Sequence, residues 1–318
     1  MRKIKPFLLF LLSLLFLFIA AAIFLSSTYK KDITIPNGIA GQHIEVVGIK
    51  LRVHQTGSGP DIVFLHGSIG NLEDFETVAP LLTGFRITSV DRFGHGYSAM
   101  ADRKATIKNN AYFIEQLIET LDLKDVILVG HSYGGSTALQ MAINQTQQQT
   151  SRIKAMVLLA PAGYPLASTD PLEHILSLPV IGQGLIRMVQ PFLAEDMLRE
   201  GLLRSLNPNQ DKVPENFINS RVSLWNNPGV LYTRTQQTSV VIKELTEISQ
   251  QVQSIAVPTI IMLGEHETFE DIREGCIKLA STIPGAELVM LPDAGHYLQY
   301  HSPEKVAQQI QLINQSAP

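Results

Sequence analysis

The residues with the clearest chemical potential lie at 130–134, which read GHSYG. This is a G-x-S-x-G motif that follows the apolar run VILV and opens a helix-like segment. A serine at such a strand-to-helix turn has its hydroxyl lifted clear of the backbone, and the glycines leave room for the strained turn. The motif predicts Ser132 as a nucleophile for acyl transfer. The alternative interpretation is a glycine-rich helix start without catalytic meaning.

A serine nucleophile also needs donors for the oxyanion that its attack creates. The segment IVFLHGSIG offers one, because its His-Gly turn after a strand would let the backbone N–H of Ser68 face the oxyanion. The second would be the backbone N–H of Tyr133, which follows the nucleophile at a helix N-terminus. We therefore predict an oxyanion hole made of the backbone N–H groups of Ser68 and Tyr133.

The general base must come from nine histidines. His296 follows a glycine in LPDAGHYLQYHSPEKV, on the loop between the last strand-like and the last helix-like segment. His66 is interpreted as a turn-stabilising residue, and His301, beside a helix N-cap, as a solvated surface histidine. The sequence favours His296 as the base that deprotonates Ser132.

The elements that would position these residues alternate along the chain. Short apolar runs that end in small or polar residues recur, with helix-like stretches between them: DIVFLHG, RITSVDRFG, VILVGHS, IKAMVLLAPAG, VPTIIMLGE and AELVMLPDAGH. This pattern is typical of a parallel sheet covered by helices on both faces. We also predict a hairpin at 43–59, a solvated loop at 144–152 and a last helix with Ser302 as N-cap and Pro303 in its first turn.

One long stretch departs from this alternation. Residues 164–253 are helix-leaning and broken by prolines, and an insertion of this length between two strands predicts a helical cap. The predicted domains are an N-terminal anchor at 1–30, an α/β core at 42–163 and 254–318, and the cap at 164–253.

The N-terminal run FLLFLLSLLFLFIAAAIFL, residues 7–25, is apolar except for Ser13. As a helix it would be about 28 Å long, close to the hydrocarbon thickness of a bilayer. Its three alanines at 20–22 lie inside the run and form a poor cleavage site, which favours an uncleaved single-pass anchor over a signal sequence that is removed before secretion. The basic residues are Arg2, Lys3 and Lys5 before the run and Lys30 and Lys31 after it. They favour a cytoplasmic N-terminus, with the catalytic domain outside or in the periplasm.

Charge and composition limit the partners. The net charge is −4 and the pI about 6.1, so nucleic acid is not expected as a partner. The single cysteine, Cys276, excludes an intramolecular disulfide. His266 lies among carboxylates, but no second histidine stands at ligand spacing, so we predict no metal. We predict no other cofactor either, because DRFGHGYS at 91–98 lacks the third glycine of a dinucleotide fingerprint.

Together these motifs resemble the α/β-hydrolase superfamily, specifically its capped serine esterases and lipases. The matching segments are GHSYGG at 130–135, HGS at 66–68, DRFGHGYS at 91–98 and GH at 295–296. The resemblance extends from about residue 42 to the end of the chain, except for the cap. It implies an α/β-hydrolase fold, with a mostly parallel sheet between helices and a helical cap, preceded in this chain by the predicted transmembrane helix.

The resemblance also implies a third catalytic residue, an acid that lies between Ser132 and His296 in the chain. The family usually carries an aspartate in the pattern G-x-x-D after a strand, and here residues 264–267 read GEHE. The predicted acid is therefore Glu267, which departs from the usual residue but keeps the carboxylate. The fold accepts either acid as the group that orients the histidine.

Other carboxylates near this position have different interpretations. Asp271 is the reserve acid, and with Glu270 it would suit the first turn of a helix. Glu265 is expected to face solvent or a local turn. Some family members take the acid after the sixth strand, but no carboxylate stands there before Asp170.

Residues and resemblance together imply a serine hydrolase that cleaves carboxylic esters through a Ser-His-Glu triad and an acyl-enzyme. The anchor and the Leu-rich cap favour a small-molecule ester with an apolar acyl group, such as a monoacylglycerol. A C–C bond hydrolase, an amidase or an acyltransferase would use the same triad, whereas a dehalogenase or epoxide hydrolase would need aspartate in place of Ser132. A non-catalytic binding protein of this fold is the alternative from another class.

Overall fold

A computed structural model of the protein describes residues 4–100, 103–149, 152–192 and 195–317. The strands are β1 (Gln42–Val46), β2 (Ile49–Gly57), β3 (Asp61–Leu65), β4 (Arg86–Val90), β5 (Val126–His131), β6 (Ile153–Leu159), β7 (Thr259–Gly264) and β8 (Glu287–Leu291). The helices are α1 (Ile4–Ser27), α2 (Ile107–Thr120), α3 (Tyr133–Gln148), α4 (Pro171–Leu176), α5 (Ile181–Val189), α6 (Glu195–Ser205), α7 (Glu215–Trp225), α8 (Pro228–Ser249), α9 (Glu270–Thr282), α10 (Leu298–His301) and α11 (Pro303–Ser316).

The eight strands form one sheet in the order β1-β2-β4-β3-β5-β6-β7-β8. Strand β2 is antiparallel to both of its neighbours, and the remaining pairs are parallel. Strands β3, β5 and β7 are buried along their whole length, which explains their near-continuous apolar sequences. Helices α3, α9 and α11 pack near these strands, and α2 packs against α3 and β1. The predicted mostly parallel sheet flanked by helices is confirmed.

The predicted hairpin is confirmed as β1 and β2. Val46 pairs with Ile49, so Val47 and Gly48 form a two-residue turn, with φ of 47° and 80°. Positive φ at both central residues is the backbone geometry that joins twisted antiparallel strands without splaying them.

The parallel direction of the strands brings the motif residues to one edge of the sheet. Ser68 follows the end of β3, Ser132 follows β5, Glu267 follows β7 and His296 follows β8. Since the carboxyl ends of parallel strands meet at the same edge, residues far apart in the sequence become neighbours there.

Five helices, α4 to α8, lie between β6 and β7, in the stretch where we predicted a cap. Helices α6 and α7 supply a second cluster of buried apolar residues, which also contains Tyr297 and Tyr300 from beyond β8. The second half of α8 belongs to the main core through Val241, Leu245 and Ile248. Helix α8 therefore starts in the cap and ends in the main core. The domain boundary at residue 253 stays a prediction.

Helix α1 is the one described helix that is long and apolar enough to cross a membrane. The span Phe7–Ser27 has a mean hydropathy of 3.1 and is almost entirely exposed. This length and apolarity suit a membrane anchor or a signal sequence. Of the basic residues that suggested its orientation, Arg2 and Lys3 lie outside the described residues.

Two local predictions need correction. The loop predicted at 144–152 is helical at its start, because α3 continues to Gln148. Glutamine is a good helix former, and the Gln145 side chain ties this end of α3 to β6 by bonding both N–H and C=O of Ile153, at 2.7 and 2.9 Å. The last helix begins at Pro303 as predicted, but the Ser302 side chain makes no capping hydrogen bond.

Candidate active site

Ser132 lies at a strained turn between β5 and α3. Its φ is 51° and its ψ is −117°, a conformation that non-glycine residues rarely adopt. The neighbouring glycines make this turn possible. A Cβ on Gly134 would collide with the carbonyl oxygens of Leu65 and His66, and one on Gly135 would lie 2.6 Å from Cβ of Pro161. The start of α3 therefore packs directly on the backbone at the end of β3.

The structure brings Glu267 and His296 into direct contact. Glu267 Oε2 lies 2.7 Å from His296 Nδ1, and both residues are buried. The other carboxylate oxygen, Oε1, accepts the backbone N–H of Phe269 at 3.0 Å, so both oxygens are held in place. A carboxylate at Nδ1 fixes the tautomer with the proton on Nδ1 and leaves Nε2 as the basic nitrogen.

His131, within the GHSYG motif, holds the loop that carries His296. Its Nε2 bonds the backbone carbonyl oxygen of His296 at 2.9 Å, and the two rings lie 4.8 Å apart between centroids. Burial is the main cause that holds the pKa of His131 well below its ordinary value, so this imidazole is neutral. His131 was not singled out from the sequence for this role. Its position next to Ser132 was the only signal for it in the sequence.

The other carboxylates near Glu267 lie elsewhere. Asp271 Oδ2 accepts the backbone N–H of Ala167 at 2.9 Å, which ties the start of α9 to the chain leaving β6. Glu270 and Asp271 occupy the first turn of α9, as predicted, and Glu265 is exposed. Asp271 thus has a structural partner, while Glu267 has the histidine.

The interpretation of His301 as a solvated surface residue is wrong. Its Nδ1 accepts the backbone N–H of Gly295 at 2.8 Å, and its Nε2 bonds the carbonyl oxygen of Leu206 at 3.0 Å. His301 is the last residue of the short helix α10, which follows the His296 loop. Its two hydrogen bonds join that loop to the end of α6.

A buried arginine shapes the turn that contains Ser68. The Arg92 guanidinium donates to the carbonyl oxygens of His66, Gly67 and Ser68. His66 Nδ1 also bonds the Gly67 carbonyl oxygen at 2.8 Å, while its Nε2 accepts the Arg92 backbone N–H at 3.0 Å. Burial is the main cause that lowers the pKa of His66 well below its usual value, so it remains neutral and can accept this bond. The turn-stabilising interpretation of His66 agrees with these contacts.

These contacts set the direction of the Ser68 N–H. In a planar trans peptide, the N–H of Ser68 points opposite to the carbonyl of Gly67, which faces Arg92. The Ser68 N–H therefore points away from Arg92. A Cβ on Gly67 would lie 3.5 Å from Cβ of Ser132. This turn is therefore adjacent to the strand-to-helix turn at residues 130–135, which we call the elbow. Within the described residues, neither the Ser68 nor the Tyr133 backbone N–H donates to a protein group.

Gln237, from the cap helix α8, contacts the same turn and was not singled out from the sequence. We assign its amide so that the nitrogen donates to Ser68 Oγ and the oxygen accepts from His95 Nε2, each at 3.0 Å. In this orientation the oxygen also accepts from Arg92 Nη1 at 3.1 Å. A glutamine more than 160 residues from Ser68 in the chain carries no local motif, so no sequence signal could have identified it.

A cavity of about 570 Å³ opens in front of these groups. Ser68, Ser132, Tyr133 and His296 line one part of it. Apolar side chains form much of the remaining wall: Ile69, Leu166, Trp225, Val241, Phe269, Ile272 and Tyr297. In the described part of the chain, the Ser132 hydroxyl makes no hydrogen bond and is left facing this space.

The charged residues of the cavity wall are few. Among the described residues of this wall, Arg234 is the one arginine or lysine, and its Nη1 lies 2.6 Å from Glu173 Oε1 of α4. Glu270 and Asp271 also line the cavity. No group of three or more His, Cys, Asp or Glu side chains in the described ranges is placed to hold a metal ion.

Residues 60–303 match the family model of the α/β hydrolase fold. Among curated proteins, a 2-hydroxy-6-oxononadienedioate/2-hydroxy-6-oxononatrienedioate hydrolase of Escherichia coli is 26% identical over 280 residues, which cover 81% of this chain and 89% of that protein. Among solved structures, a meta-cleavage product hydrolase from Pseudomonas fluorescens has a TM-score of 0.72 at 16% identity, covering 87% of this chain and 98% of that one. A thermophilic esterase from Thermogutta terrifontis has a TM-score of 0.67 at 20% identity, covering 86% and 98%. Because the family model covers most of the sequence, the chain belongs to the α/β-hydrolase fold family.

Proposed function

We propose that this hydrolase is a membrane-anchored serine esterase with Ser132 as nucleophile, His296 as general base and Glu267 as the acid that orients His296. The observation that carries the proposal is the 2.7 Å contact between Glu267 Oε2 and His296 Nδ1 at the wall of the cavity that contains Ser132. His296 Nε2 removes the Ser132 proton as Oγ attacks the ester carbonyl carbon. The carbonyl electron pair moves onto oxygen, and collapse of this intermediate expels the alcohol, which takes the proton from His296. Water repeats these steps on the acyl-enzyme, releasing the acid.

The backbone N–H groups of Ser68 and Tyr133 are the proposed donors to the oxyanion. Support comes from the fixed direction of the Ser68 N–H, opposite to the carbonyl that Arg92 holds. Both N–H groups lack a protein acceptor among the described residues, so they are available to a substrate oxygen. Donors already in place before the reaction lower the barrier without further reorganisation.

The wall of the cavity favours an uncharged ester with an apolar acyl group. An acyl chain would contact the apolar residues of the wall, among them Trp225 and Phe269. A substrate with two carboxylates would need cations there, but Arg234 is already paired with Glu173, and Glu270 and Asp271 add negative charge. A monoacylglycerol is one ester of the favoured class.

The proposed orientation places the N-terminus in the cytoplasm and the catalytic domain outside or in the periplasm. Three basic residues precede the apolar run at 7–25 and two, Lys30 and Lys31, follow it, and this asymmetry supports the orientation. In the folded protein, Lys31 Nζ is turned into the protein. It donates to the carbonyl oxygens of Ser98 at 2.7 Å and His95 at 3.0 Å, and burial lowers its pKa to about 7. Secretion after cleavage is the alternative.

The experiment that tests the catalytic proposal is labelling of the full chain by a fluorophosphonate, with hydrolysis of p-nitrophenyl esters of increasing acyl length. We expect labelling that Ser132→Ala abolishes, and kcat/KM that rises with chain length until the cavity is filled. Undiminished labelling of Ser132→Ala would refute the assignment of the nucleophile. The absence of both labelling and turnover would favour a non-catalytic binding protein.

A C–C bond hydrolase is the second candidate, favoured by the similarity to the Escherichia coli hydrolase over most of both chains. It would use the same three residues. Incubation with 2-hydroxy-6-oxononadienedioate and with the best p-nitrophenyl ester separates the candidates. Faster turnover of the dioate, by kcat/KM, would favour C–C cleavage over ester hydrolysis.

A further inference from the structure

Exposed apolar side chains are concentrated in one stretch of the cap. Outside α1, fourteen large apolar side chains of the described residues are exposed, and eight of them lie between residues 172 and 197. We call these eight the apolar cap face: Leu172, Ile175, Leu178, Val180, Ile181, Val189, Phe192 and Met197. Phe192 is 85% exposed, more than any other residue of this face. Exposed apolar surface concentrated in this way marks a binding surface.

Helix α1 packs against this part of the cap. Its Ala22 is fully buried, and a Cβ on Gly184 of α5 would overlap the backbone of Ala22. Ser26 Oγ donates to Gln183 Oε1 at 3.0 Å, and Arg187 of α5 donates to the carbonyl oxygen of Leu25. Close approach over small residues is how helices pack within membranes.

The position of these contacts on α1 sets the depth of α5. Ala22 lies five residues before Ser27, the last residue of α1, which corresponds to about 7.5 Å along the helix axis. Amphipathic helices that lie in a membrane surface are buried to a depth of about 5–10 Å. If α1 spans the membrane, α5 is therefore held at interfacial depth.

The segment after α1 holds the body of the protein close to the membrane. Tyr29 Oη donates to Asn227 Oδ1 at 3.1 Å, and the Arg187 guanidinium lies 4.9 Å from the centroid of the Tyr29 ring. Lys31 is bound to the carbonyl oxygens of the core described above. The anchor is thus joined to the catalytic domain by a packed segment, which restricts rotation of the apolar cap face away from the bilayer.

The charges of residues 171–192 suit this location. This stretch contains three residues that can carry charge, Glu173, His174 and Arg187. Met197 follows the exposed carboxylates Glu195 and Asp196 and therefore forms the edge of the face. Glu173 is mostly buried and paired with Arg234, and Arg187 bonds the end of α1. Glu173 and Arg187 can therefore keep these partners when the neighbouring apolar side chains enter lipid.

We infer that the apolar cap face is inserted into the interfacial region of the same bilayer that α1 spans, so that the cap rests on the membrane. This inference rests on the membrane anchoring proposed above and not on the catalytic residues. Helix α4 of this face contacts α8 through Glu173 and Arg234, and Arg234 lines the cavity. The cavity is then one helix away from the lipid, which would suit an ester taken from the bilayer.

The test uses the full chain in phosphatidylcholine liposomes with an environment-sensitive fluorophore on a single introduced cysteine. Cys276 is fully buried, and burial raises the pKa of its thiol, so labelling is selective for the new site. Phe192→Cys probes the apolar cap face, Leu14→Cys probes the anchor, and Leu312→Cys on α11 is the matched control, 47% exposed and remote in sequence from the face. Two kinds of quencher are compared. The lipid quencher is a mixture of phospholipids with a doxyl group near the headgroup, which reaches residue 192 at the interface, and near the end of the acyl chain, which reaches residue 14 in the middle of the span. The second quencher is aqueous iodide.

We expect the lipid quencher to reduce emission from residues 14 and 192 and iodide to act only on residue 312. Quenching of residue 192 by iodide alone, with residue 14 still quenched by lipid, would overturn the inference and leave the anchor intact. Protection of residue 192 from both quenchers would show that another protein surface, such as a second copy, covers the face, and would also overturn it. Absence of lipid quenching at residue 14 would remove the anchor and this inference together. None of these outcomes depends on whether Ser132 reacts.

Discussion

Glu267 and His296 meet at 2.7 Å although they come from loops after two different strands, β7 and β8. The family pattern places an aspartate at the position of Glu267, and the extra methylene does not prevent the contact. The second oxygen of Glu267 accepts the N–H of Phe269, so the longer side chain is fixed at both oxygens. Phe269 also places its ring 4.9 Å from that of His296, which shields the pair on one side.

Replacement of Glu267 by glutamine should remove most of the activity. The amide is neutral and cannot stabilise the imidazolium that forms when His296 takes the Ser132 proton. We expect Glu267→Gln to lower kcat roughly 10³- to 10⁴-fold with little change in KM, and Glu267→Asp to retain more activity. The measurement is steady-state hydrolysis of the best p-nitrophenyl ester.

Asp271→Asn is the matched control, because it removes a carboxylate four residues away that binds Ala167 instead of the histidine. Its kcat should stay within about threefold of the wild type, because a surface substitution usually changes the free energy by no more than roughly 0.5 kcal/mol. A larger loss of kcat in Asp271→Asn than in Glu267→Gln would reverse the assignment of the acid.

The sheet could be predicted from the sequence because its central strands are buried on both faces and therefore read as continuous apolar runs. The placement of Ser132 and His296 at one edge followed from the parallel direction of those strands. Gln237 could not be predicted, since its contact with Ser68 depends on how α8 packs over the sheet. His301 was misinterpreted because α10, only four residues long, has no periodic pattern of its own.

The glycines of the elbow provide a test of the tight packing around Ser132. A methyl group at Gly134 would overlap backbone oxygens of Leu65 and His66, which cannot move away as a flexible side chain could. We expect Gly134→Ala to lower the free energy of unfolding by about 1–3 kcal/mol and to slow fluorophosphonate labelling of Ser132 at least tenfold. Thermal unfolding and labelling rates, measured on the same detergent-solubilised chain, check both effects.

Gly201→Ala is the control for this substitution. Gly201 is exposed on α6, and no heavy atom lies within 4 Å of the added methyl. Alanine is favoured over glycine inside a helix by about 1 kcal/mol, so this variant should unfold at a slightly higher temperature and label at the wild-type rate. Equal unfolding temperatures and labelling rates in Gly134→Ala and Gly201→Ala would contradict the tight packing inferred around Ser132.

Gln237 is expected to act as a positioning residue for the turn at residues 66–68, which carries the Ser68 N–H proposed as an oxyanion donor. Gln237→Leu keeps the side-chain size but removes the bonds to Ser68, His95 and Arg92. We expect kcat to fall about 10- to 100-fold with little change in KM, because the turn would bind the oxyanion less well while the apolar cavity stays intact. Gln237→Glu, which keeps an acceptor for Arg92 and His95, should recover part of this loss.

A purely structural role of Gln237 would give a different result. In that case the thermal unfolding temperature would fall in Gln237→Leu, and kcat and KM of the remaining folded enzyme would be unchanged. Ser239→Ala serves as the control on the same helix, because its hydroxyl bonds only the Gln236 carbonyl oxygen.

The stability of the protein should carry a pH dependence from one buried ion pair between core and cap. Asp74, after β3, lies 2.5 Å from Arg221 of α7, and both side chains are almost fully buried. Burial raises the pKa of Asp74 from 3.8 to about 6, although Arg221 opposes this shift. The folded protein therefore binds a proton at Asp74 more tightly than the unfolded chain does. The stability that comes from the protonated group is fully present below pH 4 and is lost as the pH rises through 6.

The measurement is the free energy of unfolding at pH 4.5 and pH 7.5 for the wild type and for Asp74→Asn, which cannot lose a proton. A rise in pKa from 3.8 to about 6 corresponds to a complete loss of about 3 kcal/mol. Roughly 2 kcal/mol of this falls between pH 4.5 and pH 7.5, because the carboxyl of the unfolded chain is already mostly ionised at pH 4.5. Other titrating groups are common to both proteins, so the stability of Asp74→Asn relative to the wild type should improve as the pH rises. Gly201→Ala changes no titratable group and should run parallel to the wild type. If the Asp74→Asn curve also ran parallel, Asp74 would not titrate in this range, and the buried pair would have to remain charged throughout.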